Sequence, residues 1–184
     1  MIAGIIIGVI ALIIVIFLIG TYNGLVGSRN QVEEAFSTMD VYLKKRYDLI
    51  PNLVETVKGY ATHEKETLEK VIQARNSAVQ AKDAADVIRS NEALGQSLRG
   101  IFALAENYPE LKANTSFLDL QQQLRQVEED IANARKYYNG CVKAYNDKTM
   151  MFPSNIVANM FGFKRASMYE VADAAERENV KVSF

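Results

Sequence analysis

The chain has 184 residues, with 21 Lys and Arg against 22 Asp and Glu, one His and one Cys. A net charge of -1 excludes both the basic footprint of a nucleic-acid binder and an acidic tail. A single Cys and a single His exclude an internal disulfide framework and a Cys/His metal cluster, and three prolines leave few forced breaks, so long helices are favoured.

The first twenty residues, MIAGIIIGVIALIIVIFLIG, carry no charge and no strongly polar side chain. As a helix they span roughly 30 Å, the thickness of a bilayer's hydrocarbon core. Residues 1–20 therefore read as one membrane-spanning helix. The rival reading is a cleaved secretory signal. It lacks a basic residue ahead of the run, and Ile19-Gly20-Thr21-Tyr22 is not a small-x-small cleavage site. Gly4 and Gly8 form a G-x-x-x-G pair, a candidate contact face between spanning helices, although glycine is common in such helices anyway. The positive-inside count sets Arg29 against the terminal amine, which leaves orientation nearly undetermined and tilts it to a cytoplasmic body.

Beyond the span, Val32, Phe36, Met39, Leu43, Arg46, Ile50, Leu53, Val57 and Tyr60 recur by threes and fours, a heptad seam. Carried backwards it takes in Arg29, Leu25 and Tyr22, so the spanning helix is expected to run on into the body. Pro51 removes a backbone donor and crowds the carbonyl of Tyr47, which predicts a kink rather than an end. A turn at 59–63 leads to a second helix over about 64–107, weakened at 80–92, where Ser90 is a candidate cap for a restart. A third helix carries Phe117, Leu120, Leu124, Val127, Ile131, Ala134, Tyr138, Cys141 and Tyr145 on its seam, with Asn114 or Thr115 as cap. The fold class is thus all-α. A transmembrane helix (1–20) continues into a long antiparallel three-helix, coiled-coil-like bundle (21–150), followed by an apolar C-terminal segment and tail (151–184).

Three passes would leave the C-terminal segment at the end of the bundle far from the membrane. Its apolar side chains include Met151, Phe152, Ile156, Met160, Phe161 and Phe163. They read either as a cap folded over the 60–64 turn or as an interaction surface for another subunit, a partner or a second membrane. The tail beyond reads as helical, then extended.

Few residues suggest chemistry. His63 lies in a turn with no suitably spaced partner, and Cys141 lies on an apolar seam. The glycines form no phosphate loop. No catalytic, cofactor or metal site is expected, and the reading is non-enzymatic. Arg46 stands at a seam position, as do Arg29 and Arg75. Arg46 either snorkels to the surface or pairs with Glu106, Glu128 or Glu129 to fix helix register. Lys44-Lys45-Arg46 stands too far from the bilayer to touch headgroups and reads as a solvated face. Tyr-Asn pairs recur at 22–23, 138–139 and 145–146. Tyr22 suits a bilayer interface, while Tyr138 and Tyr145 suit either the core or a tyrosine-lined groove.

RYDLIPNLVETVKGYATHE at 46–64, AENYPELKAN at 105–114, EDIANARKYYNGCVKAYN at 129–146, FPSN at 152–155 and Gly162-Phe163 follow Tyr22-Asn23-x-Leu25-Val26 in that order. Together they resemble the LemA family over nearly the whole chain. The resemblance implies a bacterial protein anchored in the inner membrane with a helical body. It further implies links to intracellular membrane compartments and to membrane proteases. The functional expectation is a scaffold that contacts the lipid bilayer, forms a homo-oligomer, has a membrane protein as a further candidate partner, shapes membrane or organises membrane proteins, and binds no nucleic acid. The alternative is an adaptor or regulator of a membrane protease or envelope-stress system.

Overall fold

The computed structural model describes residues 1–169, all helix and connection; the tail reading lies mostly outside the described residues. α1 (Ile2–Lys58) is a single 57-residue helix whose apolar first part is long enough to cross a membrane and is exposed as far as Phe17. α2 (Lys65–Gln80) and α3 (Ala84–Ala105) follow, then the short α4 (Pro109–Lys112), the long α5 (Thr115–Met150) and α6 (Ser154–Met160).

α1 and α5 form the spine, antiparallel along the length of the body. Asn114 Nδ2 donates to Tyr60 Oη at 2.9 Å at one end, and Lys148 Nζ donates to Ser28 Oγ at the other. The buried seam of α1 is Leu25, Ser28, Val32, Ala35, Met39, Leu43, Arg46, Ile50, Leu53 and Val57. In its first turns two positions lie one residue before the expected ones, while Leu25, Val32 and Met39 fall as expected. Ser28 and Ala35 are buried where Arg29 and Phe36 were expected, because small side chains let α5 approach. α5 keeps its expected seam except that Val142 is buried and Cys141 sits at the rim. Asn114 is its cap, accepting from Phe117 N–H at 2.9 Å.

The second expected rod is divided. The chain is extended at Ala81, and Asp83 caps a new helix by accepting from Asp86 N–H at 2.8 Å. Ser90 is no cap; its hydroxyl donates back to carbonyls inside α3. Continuing the period of Val71 and Ala78 would have put Lys82 and Arg89 on the seam, so breaking the helix keeps two charges out of the core. α2 and α3 therefore pack on each other as an antiparallel hairpin against the distal part of the spine.

The extra turn reverses the direction of everything after it. α5 runs back toward the apolar N-terminal part of α1, and α6 packs beside Leu18 and Leu25 of α1 through Val157 and Ala158. The C-terminal segment thus stands beside the end of the apolar run of α1 and does not cap the 60–64 turn.

Pro51 does not end α1. The Tyr47 carbonyl, four residues earlier, loses its helical donor to the proline ring. Arg75 of α2 supplies the replacement, its Nε donating to Tyr47 O at 3.1 Å. Arg75 is half-buried there, which accounts for a charge at a seam position.

Candidate functional site

α6 ends in a left-handed turn at Gly162, φ +72°. Phe163 N–H reaches back to Ala158 O at 2.9 Å and Gly162 N–H to Asn159 O at 3.4 Å, the Schellman pattern of bonds. The turn sends residues 163–169 back along α5 as an extended strap. Two Tyr-Asn pairs of α5 hold it. Asn146 donates to Ala166 O and accepts from Ala166 N–H, both at 2.9 Å. Asn139 does the same to Tyr169, at 2.9 and 2.7 Å. Tyr145 Oη donates to Lys164 O at 2.8 Å and Tyr138 Oη to Ser167 O at 2.9 Å.

The register of this clamp is geometric. The two pairs lie seven helical residues apart, a rise of about 10.5 Å. Their targets lie three extended residues apart, about 10 Å. Each asparagine amide therefore presents a donor and an acceptor to one residue of the strap, as a neighbouring β-strand would. All of these bonds go to the strap's backbone. Burial raises the Tyr138 and Tyr145 phenols above their ordinary pKa, so both remain neutral donors. The third expected pair behaves differently: Tyr22 packs edge-on to Phe161 and Phe163, with ring centroids 4.9 and 5.7 Å apart.

At Tyr169, the last described residue, the strap lies beside Arg46. Tyr169 is buried, with its ring 4.1 Å from the Arg135 guanidinium carbon. Arg46 is 1% exposed, and its Nη2 lies 2.9 Å from Glu128 Oε1. Glu106 instead pairs with Lys112, and Glu129 is exposed. Glu128 is itself 46% exposed, so a buried cation meets a carboxylate at the rim. Arg46 Nε and Nη1 and Arg135 Nε have no hydrogen-bond partner among the described residues. Burial lowers the Arg46 pKa, Glu128 opposes that shift and Arg135 adds to it. α3 contributes Asn91, which donates to Tyr47 Oη, and Gly95, where an added Cβ would stand 3.1 Å from Arg46 Nη2. A cleft lined by Arg46, Arg99, Arg125 and Glu128 opens beside the pair.

The candidate interaction surface falls into two parts. Added Cβ atoms at Gly4 and Gly8 would meet nothing within 4 Å, so that stripe is open. Met151, Phe152, Ile156, Met160 and Phe161 are exposed around α6, while Phe163 is half-buried against Tyr22 and the Leu25 cluster. Arg29, expected on the seam, is exposed, 5.8 Å from the Phe163 ring centroid. His63 is exposed in its turn, and no cluster of three or more potential metal ligands occurs among the described residues.

Residues 35–184 match the sequence profile of the LemA family. The chain belongs to the LemA family. Among its relatives is Protein LemA of Metamycoplasma hominis, 28% identical over 169 residues, covering 89% of this chain and 74% of that protein. Magnetosome protein MamQ 2 of Paramagnetospirillum magneticum is 23% identical over 181 residues, and Magnetosome protein MamQ of Magnetospirillum gryphiswaldense is 21% identical over the same length. Those two alignments cover 84% of this chain and 66% of each magnetosome protein, just under two thirds of their length.

Proposed function

We propose that this LemA-family chain is a non-enzymatic scaffold, anchored by α1 in the bacterial inner membrane, that assembles with further copies of itself to shape membrane or organise membrane proteins. The observation that carries the reading is the continuity of α1, which enters the bundle core without a break. Position and tilt of the span are thereby passed directly to a rod that rises about 57 Å between residues 20 and 58. The apolar part of α1 is exposed from Ile2 to Phe17, and the Gly4–Gly8 stripe is free for close helix approach. Kinship with magnetosome proteins supports a part in cellular organisation over a part in metabolism. Folding also brings Lys148, Lys164 and Arg165 to the same end as Arg29, which supports a cytoplasmic body.

Crosslinking in native membranes tests this reading, with multimers expected and fewer of them on Gly4→Ile with Gly8→Ile. A strict monomer without neighbours in proximity labelling would refute the scaffold. Enrichment of a membrane protease in that labelling, without self-contacts, would favour the adaptor reading.

A further inference from the structure

α6 has two apolar faces. Val157 and Ala158 turn inward onto Leu25, and Ile156 and Met160 turn outward. Phe152, just ahead of the helix, is 80% exposed, and Met151 and Phe161 are exposed beside it. Contiguous exposed apolar groups of this kind mark a contact surface. Their height identifies the contact. α6 touches α1 between Leu18 and Leu25, a band of about 10 Å that straddles the end of the apolar run at Gly20 and the first polar residue, Thr21. That is the depth to which an interfacial helix sinks, about 5–10 Å at the headgroup and acyl boundary.

Charge points the same way. The stretches 21–32 and 148–169 meet at this end of the molecule and contain Arg29, Lys148, Lys164 and Arg165 but no Asp or Glu. The nearest acids lie just beyond them, Glu33 3.6 Å from Arg29 in an exposed pair and Asp147 paired with Lys143. All four cations are exposed. A second copy is the poorer occupant, because a stable interface takes about 20–30 residues a side and this patch offers only a handful of apolar side chains.

We propose that α6 and the residues flanking it form a foot that inserts into the same bilayer that holds α1, with Phe152, Ile156 and Met160 in the acyl boundary and the four cations on anionic phospholipid headgroups. The proposal rests on the anchoring of α1. It gives the chain a second membrane contact, joined through Gly162 and Phe163 to the strap clamped on α5.

The chain has no tryptophan, so single introduced tryptophans report cleanly. Three full-length variants, Phe17→Trp, Phe152→Trp and Tyr60→Trp, are reconstituted in vesicles of equal parts phosphatidylcholine and phosphatidylglycerol. The phosphatidylcholine is brominated near the headgroup end of its acyl chains. The expected result is strong quenching and a blue shift for Phe17→Trp and Phe152→Trp, and neither for Tyr60→Trp at the distal end. Quenching of Phe17→Trp without quenching of Phe152→Trp overturns the foot and leaves the anchor standing. Loss of quenching at both overturns the anchor itself. A blue-shifted but unquenched Phe152→Trp means that protein covers the patch, which also overturns the foot. When the phosphatidylglycerol is replaced by unbrominated phosphatidylcholine, with the brominated fraction held constant, quenching of Phe152→Trp should fall; equal quenching in both would remove the anionic-headgroup contact.

Discussion

Arg75 and Pro51 stand on different helices, yet the structure makes the value of one depend on the other. Pro51 lacks the N–H that Tyr47 O would otherwise accept, and Arg75 Nε fills the vacancy at 3.1 Å. Arg75→Ala leaves a backbone carbonyl without its donor. A hydrogen bond from a charged group is worth about 1.5–3 kcal/mol, and an unsatisfied buried group costs about 1–3 kcal/mol. Arg75 is only half-buried, so water can reach part of the site, and a loss of about 1–2 kcal/mol is expected. Pro51 is exposed, so Pro51→Ala removes little packing and restores the helical N–H. In that background Arg75→Ala should cost a few tenths of a kcal/mol at most. The assay is a double-mutant cycle from denaturant midpoints of the full chain in detergent, followed by helical circular dichroism. Equal costs of Arg75→Ala in both backgrounds would refute the reasoning and assign Arg75 to packing.

Arg46→Leu should leave stability unchanged or raise it by about 1–4 kcal/mol, because it removes a desolvated charge with two unpartnered nitrogens, Nε and Nη1. Glu128→Ala should lower stability, but by about 1–3 kcal/mol rather than the larger cost of a fully buried pair, since Glu128 is half exposed to solvent screening; thermal unfolding separates the two. Asn139→Ala and Asn146→Ala each delete two hydrogen bonds, about 1–3 kcal/mol at about 0.5–1.5 each, and should speed amide exchange in residues 163–169 with the helical content of α5 unchanged. Burial raises the pKa of Tyr47, Tyr138 and Tyr169 above the ordinary value of 10.0. Their contribution to stability is therefore whole below pH 10 and lost as the pH rises through the folded-state values. Phenolate absorbance should lag the ordinary titration and then rise together with unfolding.

The two long seams were legible because each keeps one face apolar over many turns. The spacing of Leu, Ile and Val placed most of both seams; it missed Ser28 and Ala35 in α1 and Val142 in α5, where a neighbouring residue was expected. The break at 81–83 was harder to see, since no Gly or Pro marks it. The signal was present in Asp83 and Asp86, a cap with an acid three residues on, and in the charges that a continued period would have buried. Missing one turn has a consequence out of proportion to three residues. An odd number of passes ends away from the apolar start of α1 and an even number returns to it, so the C-terminal segment moved from one end of the rod to the other.

The strap was hidden for a different reason. Residues 163–169 have no period to detect, because their contacts are made by backbone groups. Only the helix that holds them carries a sequence signal, the Tyr-Asn pair repeated at seven. A tyrosine on a seam has an ordinary explanation in core packing, and its partner's fully paired amide is visible only once the strap is in place.

The hairpin and the strap divide the work of covering the spine, and Arg46 lies where they meet. α3 brings Asn91 and Gly95 to it, the strap brings Tyr169, and α5 brings Arg135 and Glu128. Leucine would fill that space in several registers, whereas a guanidinium reaches Glu128 in one. The hypothesis is that Arg46 gives up stability to fix how the two pieces abut. It makes a demand that stability alone does not. Arg46→Leu should keep or raise the unfolding midpoint while amide exchange quickens at Tyr169 and in the first turns of α3. Unchanged exchange at both places, beside an unchanged midpoint, would leave the arginine without a role in register.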